Sequence, residues 1–272
     1  MNPILAAGPL MGTPRSGTAP RPAECATVHT RILRCMLAAD DCAAYWRRAD
    51  TTVPAANRAS LAFAERWFGI KSEARVRTIM TDMVERFDVY PEALTLLHRL
   101  RRIPAAVRTL ICHVHTQLAD PVYRRFSGIF LAERREQGRD TIDRSAVARW
   151  VDTLAPGRWS PATCTKFASN LLATALDAGL VRGRRDPRKL AHLVVPEVAV
   201  GYALYLLRGV RIEGSLTDNP YLRSLGVTSV TLHTVAPRVP GVRIAALGGI
   251  AEVTFLEPTL TAWGLRHLGE AA

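Results

Sequence analysis

The side chains best suited to bind a ligand lie at the start of the segment 159–190, WSPATCTKFASNLLATALDAGLVRGRRDPRKL. Ser160 is a favourable N-cap and Pro161 a favourable first helical residue, so the segment predicts a helix over 160–178. At helical spacing, one side of this helix is an apolar stripe formed by Cys164, Phe167, Ala168, Leu171, Leu172, Ala175 and Leu176. The opposite side carries hydroxyl, ammonium and amide groups, from Thr163, Lys166, Asn170 and Thr174. Such groups reach phosphates and base edges well, and a helix N-terminus adds partial positive charge.

A cluster of basic residues follows this helix directly, with the members Arg182, Arg184, Arg185, Arg188 and Lys189. The pattern there changes to strand, charged turn and strand, with Asp186 and Pro187 in the turn. The order of these elements is that of a winged helix-turn-helix: a short helix over 144–154, a turn, a polar-faced helix and a basic hairpin. In that motif the second helix enters the major groove of DNA and the hairpin contacts the backbone.

The segment therefore predicts binding to double-stranded DNA through Ser160, Thr163, Lys166, Asn170 and the five basic residues of the hairpin. Two other interpretations stay open at this point. The helix could be amphipathic with a solvated polar face beside a charged surface turn, and winged helices also serve as protein-interaction modules.

A second helix start has the same register. Gly69 ends one predicted helix and Ser72 caps the next, and its apolar residues fall at the same offsets as those after Ser160. Four residues at this start are further candidates for DNA contact: Lys71, Ser72, Arg75 and Arg77. Any capped amphipathic helix gives this spacing, and Asp82 and Glu85 would repel phosphate further along.

The charge of the chain favours a polyanionic partner. Its net charge is +12 and its pI about 10.2. Residues 215–272 contain four Arg and four acidic residues, so the whole excess lies in residues 1–214. Nucleic acid or an anionic membrane surface would fit this charge. Arginine-rich composition from a GC-rich genome is the plainer explanation, but it does not predict so uneven a distribution.

The chemistry-bearing residues elsewhere predict no catalysis, metal or cofactor. His113 and His115 stand close together in ICHVHTQLADP, but residues two apart on a helix point away from each other. We expect core or surface histidines, and we find no HExxH, P-loop, GxSxG or GxGxxG motif. A nuclease using His113, His115 or nearby acids is the enzymatic alternative.

Composition predicts a cytoplasmic protein. The five cysteines form no CxxC pair, which is typical of reduced thiols, and the longest apolar windows are too short to span a bilayer. Residues 1–23 are rich in Pro, Gly and Thr and predict a disordered tail.

The elements that must position the candidate residues predict a mainly α fold. Helices are expected over 24–48, 57–68, 72–87, 91–102, 104–118, 121–135, 144–154, 160–178 and 197–210. A polar break, EQGRDTID, divides a helical domain over 24–138 from a winged-helix domain over 139–272. The second domain ends in a short α+β extension, with a helix opened by TDNPYLRSL, a hairpin turned at Gly248 and Gly249, and a last helix containing Trp263.

Four segments together resemble the BrxA family of BREX bacteriophage-exclusion loci: SEARVRTIMTDMVERFDVYPEAL, HTQLADPVYRRFSGIFL, WSPATCTKFASNLLATALDAGLV and NPYLRSLGV. The resemblance covers about residues 60–230. It implies a mostly helical, DNA-binding accessory protein with helix-turn-helix-like elements over 69–87 and 154–190, acting in phage defence beside methyltransferase and ATPase partners. Together with the lack of catalytic motifs, this leads us to expect a DNA-binding protein with no catalysis of its own. An adaptor whose basic winged helix docks a partner protein of the defence complex is the alternative. The family once carried an inner-membrane label, with which the lack of an apolar span disagrees.

Overall fold

The computed structural model describes residues 20–247 and 250–271 and confirms the mainly α fold. Its helices are α1 Ala39–Arg48, α2 Ala55–Ala64, α3 Glu73–Met83, α4 Pro91–Arg99, α5 Ala105–Ala119, α6 Pro121–Arg125, α7 Leu131–Glu136, α8 Arg144–Leu154, α9 Pro161–Asp177, α10 Glu197–Arg208, α11 Pro220–Ser224, α12 Ser229–Val235 and α13 Leu260–His267. Turns of π-helix over Val84–Asp88 and Phe126–Phe130 extend α3 and join α6 to α7.

The helix predicted over 24–48 is wrong in its first half. Only a 3₁₀ turn, Arg31–Leu33, precedes α1, which begins at Ala39. The backbone of Ala38 is left-handed, with a φ of 50°, and the guanidinium of the buried Arg86 holds the residues before it by donating to the carbonyl oxygens of Met36 at 2.7 Å and Leu37 at 2.9 Å. A left-handed residue cannot continue a right-handed α-helix, so α1 begins only after Ala38.

Short strands complete the fold. β1 (Leu100–Arg102) pairs with β7 (Glu270–Ala271), so the helix predicted over 91–102 ends three residues early. β2 (Thr141–Ile142), β3 (Val181–Arg182) and β4 (Arg188–Leu190) form a sheet in the order β2-β4-β3, with both pairs antiparallel. β5 (Val242–Leu247) and β6 (Ile250–Phe255) form the second predicted hairpin. Its predicted turn, Gly248 and Gly249, lies outside the described residues.

The start of the described chain is hydrogen-bonded to residues far along the sequence. Residues 1–19 of the predicted tail lie outside the described residues, while the carbonyl of Pro22 accepts from the backbone of Arg211 at 2.9 Å. One cluster of buried apolar side chains extends from Ile32 to Leu268. It therefore includes residues on both sides of the polar break at 136–143.

His113 and His115 are core residues, as one of the sequence interpretations expected. Both are fully buried. His113 contacts Tyr123 Oη at 2.9 Å and Ser224 Oγ at 2.8 Å, and His115 contacts Arg86 O and Tyr202 Oη at 2.7 Å each. Burial lowers the pKa of His113 to about 3 and that of His115 to about 4, which keeps both rings neutral near pH 7. All four ring nitrogens are therefore engaged inside the protein.

Candidate nucleic-acid interface

Helix α9 begins where the sequence predicts. Ser160 Oγ accepts from the backbone N–H of Thr163 at 3.2 Å, which caps the helix, and Pro161 occupies the first turn. The predicted apolar stripe is buried apart from Leu176, which is half-buried, and the ring of Phe167 packs on Trp159 with 4.7 Å between centroids. Burial of this stripe sets which face of the helix remains for a ligand.

Apart from Asp177 at its end, the exposed residues of α9 lie in its N-terminal half. Ser160, Thr165 and Lys166 are exposed, and Thr163 is half-buried with its hydroxyl 3.0 Å from Ser160 Oγ. The Lys166 ammonium makes no ion pair with any described residue. The first two turns of α9 therefore offer hydroxyl groups and one free cation, beside the positive end of the helix dipole.

The prediction that Thr174 shares this exposed face is wrong. Thr174 is fully buried, and its hydroxyl donates to the carbonyl of Asn170 at 2.8 Å. Asn170 itself is half-buried, and its amide donates to the carbonyl of Ile32 at 3.0 Å. The 3₁₀ turn Arg31–Leu33 packs against α9 and covers its polar side at Asn170.

The hairpin β3–β4 presents most of the predicted basic cluster to solvent. Arg182, Arg184, Arg185 and Lys189 are exposed. None of these four cations lies within ion-pair distance of a carboxylate in the described part of the chain. Arg188 differs, because it is half-buried and its Nε lies 3.3 Å from Asp186 Oδ1. The hairpin thus keeps a net positive charge.

The turn of the hairpin is attached to the helix pair. Asp186 Oδ2 accepts from the backbone N–H of Arg144, the first residue of α8, at 3.1 Å. β2, which precedes α8, pairs with β4 through Thr141 opposite Lys189. Helices α8 and α9 pack directly on each other. The sheet, the helix pair and the basic turn therefore form one unit over residues 141–190.

The second predicted helix start, at α3, carries less unpaired positive charge than the hairpin β3–β4. Ser72 caps α3 by accepting from the backbone of Arg75 at 3.4 Å. Lys71 pairs with Asp41 at 3.3 Å, and Arg77 pairs with Glu73 at 2.6 Å. Only Arg75 lacks a carboxylate partner among the described residues.

The two acids that were expected to repel phosphate along α3 are compensated. Asp82 is buried and 2.7 Å from Arg86, and Glu85 pairs with Arg31 at 2.7 Å. Burial raises the pKa of Asp82 to about 6 despite this neighbouring guanidinium. The repulsion of phosphate expected from these two acids is therefore reduced, while the apolar spacing of α3 remains that of any capped amphipathic helix.

Arg31 and Arg34 are basic residues of this surface that the sequence pattern did not indicate. Their segment contacts both candidate helices, because Arg34 O accepts from Arg75 Nη1 of α3 at 2.7 Å and Ile32 O accepts from Asn170 of α9. A cleft of about 250 Å³ between the segment and α3 is lined by Arg31, Arg34, Cys35, Arg77, Thr78, Thr81 and Asp82. The only sequence signal was the basic composition of HTRILRC, which a helix prediction obscured.

The fold and this surface define a class: a mainly helical protein with a polar-faced helix and a basic hairpin fixed on one small sheet. The sequence model of the BrxA family matches residues 41–202, more than half of the chain. The chain belongs to the BrxA family and is thereby a component of a BREX phage-defence system. The resemblance seen in the sequence is confirmed. No individually curated protein matches the chain. Among the described residues, no helix has the length and apolar character needed to cross a membrane.

Proposed function

We propose that this chain is a non-catalytic accessory protein of its BREX system that binds double-stranded DNA. One observation carries the proposal. The exposed start of α9, with Lys166, lies in the same unit as a hairpin whose four exposed cations have no described carboxylate partner. Phosphate contacts supply most of the affinity of DNA-binding proteins, and free cations beside a helix N-terminus provide them.

The order of elements in residues 141–190 supports a winged helix-turn-helix. The parts of that motif are all present: a strand (β2), two packed helices (α8 and α9) and a two-stranded hairpin (β3–β4) that completes a sheet with β2. In this arrangement α9 enters the major groove with Lys166 and Thr163. Arg182, Arg184, Arg185 and Lys189 follow the backbone.

The proposed recognition has weak sequence preference. Bidentate reading of a base edge needs an amide or a guanidinium aimed into the groove. The amide of Asn170 already donates to Ile32, and the remaining groups on the exposed face are hydroxyls and one ammonium. Phosphate contact therefore dominates over base contact in the interface we propose.

Helix α3 extends the interface through Arg75 and the adjoining Arg34. Neither side chain has a carboxylate partner in the described part of the chain. Lys71 and Arg77 contribute less, since each is paired with an acid. The segment 31–35, which contacts both α3 and α9, connects the two basic regions on one side of the protein.

A salt titration of duplex binding tests the proposal. Each lost phosphate contact lowers the slope of log affinity against log salt by about 0.9. The double variant Arg184→Ala, Arg185→Ala should weaken binding to all sequences alike and flatten the slope by up to about 2. The control, Arg238→Ala with Arg243→Ala, removes the same formal charge from the neutral segment 215–272, with Arg238 paired to Glu197 at 3.6 Å and Arg243 exposed.

A folded double-arginine variant with unaltered affinity and slope would contradict the DNA role of the hairpin. The adaptor function would then be favoured, in which the same basic surface docks an acidic face of a methyltransferase or ATPase partner. A nuclease is disfavoured because His113 and His115 are fully buried and hydrogen-bonded. Incubation of duplex with Mg²⁺ and the protein should therefore yield no cleavage.

A further inference from the structure

A length of chain without backbone pairing follows strand β4. Residues 192–195 form neither helix, turn nor strand, and no hydrogen bond to another described residue involves their backbone. Their side chains alternate as in a β-strand, because His192 and Val194 are exposed while Leu193 and Val195 are half-buried. Val195 also precedes Pro196, which favours an extended backbone. The segment 192–195 therefore continues the direction of β4 with its N–H and C=O groups unpaired.

The last pairing of the small sheet before this segment lies at Ala191. Its N–H donates to the carbonyl of Leu180 at 3.0 Å, and β3 begins one residue later, at Val181. Before Leu180 the chain belongs to the turn at Gly179 and to the end of α9, so none of the described strands lies beside the segment 192–195. The main chain there can accept one further strand.

A groove of about 340 Å³ lies at this position, between the segment 192–195, the end of α9 and the first turns of α5. Its lining is mostly apolar. Val194, at the rim, is 85% exposed, although it is a large apolar residue. Exposed apolar side chains beside an apolar groove are typical of a binding surface for a protein. Five members of the lining are Leu110, Leu176, Leu180, Leu193 and Val195.

The charges near the groove favour an acidic partner. Arg182 lines it, is exposed and makes no ion pair with a described carboxylate, and Arg184 and Arg185 follow in the same hairpin. Asp177 is the one carboxylate among the residues that line the groove. A second copy of the chain is disfavoured as the occupant, because two chains with a net charge of +12 repel each other.

We infer that the groove binds an extended, acidic segment of a partner protein, which adds a strand beside residues 192–195. In this mode of recognition, main-chain hydrogen bonds supply the affinity and pockets for alternate side chains supply the specificity. An aliphatic side chain of the partner enters the groove, and an acidic residue next to it pairs with Arg182. The inference goes beyond DNA binding and does not depend on it.

Selection of short random peptides displayed on phage, with the purified full chain as the target, tests the groove. We expect the selected peptides to share an aliphatic residue with acidic neighbours. The backbone N–H groups of a strand point alternately to its two edges, and only one edge can pair with residues 192–195. Methylation of the nitrogens on that edge of a selected peptide should weaken binding about tenfold or more, and methylation of the other set should change it little. Fluorescence anisotropy of the labelled peptides measures both.

Ala106→Gln tests the place of binding from the protein side. Ala106 is exposed in the first turn of α5 and lines the groove, so a longer side chain obstructs it without disturbing the core. Peptide affinity should fall about tenfold or more. Ala105→Gln is the matched control, because Ala105 is the exposed neighbour on the same turn and does not line the groove. Both variants should bind duplex DNA as the wild type does, since neither residue belongs to the proposed DNA interface.

The inference is overturned if no displayed peptide binds above background, if neither set of methyl groups weakens binding, or if Ala106→Gln and Ala105→Gln have the same peptide affinity. Sedimentation of the full chain at rising concentration tests the other occupant. A dimer that Ala106→Gln abolishes would place a second copy in the groove and would also overturn the assignment. Duplex binding is measured separately, so failure of this site leaves the DNA function of the hairpin untouched.

Discussion

Asn170 on α9 donates its side-chain amide hydrogen to the carbonyl oxygen of Ile32, 138 residues earlier in the chain, at 3.0 Å. This contact turns a side chain of the base-reading type into a structural one. It also places Arg31 and Arg34 beside the helix that we propose enters DNA. The segment 31–35 thus contributes to the stability of the protein through this hydrogen bond and to its basic surface through Arg31 and Arg34.

Asn170→Ala should therefore lower the free energy of unfolding by about 1 kcal/mol, the usual contribution of one internal hydrogen bond. The slope of log DNA affinity against log salt should stay unchanged, because no phosphate contact is lost. Urea unfolding and the salt titration measure the two quantities. Unaltered stability together with a changed sequence preference would show that the amide reads a base after all.

Arg34→Ala should weaken duplex binding and reduce the salt slope by about 0.9 if this arginine contacts phosphate. Stability should change little, since the contacts of Arg34 with α3 run through its backbone carbonyl. Arg243→Ala, at an exposed arginine of β5 without an ion pair to a described residue, is the control for loss of one charge outside the surface. An equal effect of the two substitutions would indicate a general effect of net charge.

Phe167→Ala should destabilise the protein by about 3–5 kcal/mol, as expected for truncating a fully buried phenylalanine. The neighbouring exposed residue gives the comparison: Lys166→Ala should cost less than about 0.5 kcal/mol and weaken DNA binding. Thermal and urea unfolding of both variants measure the difference. Equal stability of the two would mean that the faces of α9 are reversed.

Acid should destabilise the protein below about pH 6.5. In that range the unfolded histidines bind protons, whereas His113 and His115, with pKa values lowered to about 3 and about 4, do not. Each therefore lowers the free energy of unfolding by about 1.4 kcal/mol per pH unit as the pH falls towards 4.

Protonation of Asp82 changes the free energy of unfolding in the opposite direction as the pH falls. Its pKa is raised to about 6, so between about pH 6 and pH 4 the folded protein binds a proton that the unfolded chain does not yet bind. Asp82→Asn should remove this opposing contribution and make the loss of stability steeper. Urea unfolding across this range measures the slopes, and an equal or shallower slope for the variant would contradict the assignment.

Local signals in the sequence determined most of the helices. Helix α8 spans Arg144–Leu154 as predicted, because Asp143 caps it by accepting from Ala146 N at 2.7 Å and this signal lies within four residues. The buried stripe of α9 followed from helical periodicity in the same way. The exposed cations of the hairpin could also be predicted from the sequence, because arginines in a charged turn stay in water without a distant partner.

Tertiary structure alone decided the remaining features, because each depends on a partner far away in the chain. The segment before Ala39, predicted as helix, is instead held by Arg86, which binds the carbonyls of Met36 and Leu37 from 49 or more residues away. β1 becomes a strand only against β7, which pairs with it 168 or more residues later. Asn170 is half-buried because the turn Arg31–Leu33 contacts it, and Thr174 is fully buried inside the packed protein. Periodicity shows which side of an element is apolar, but only the packed chain determines which polar groups remain exposed to water.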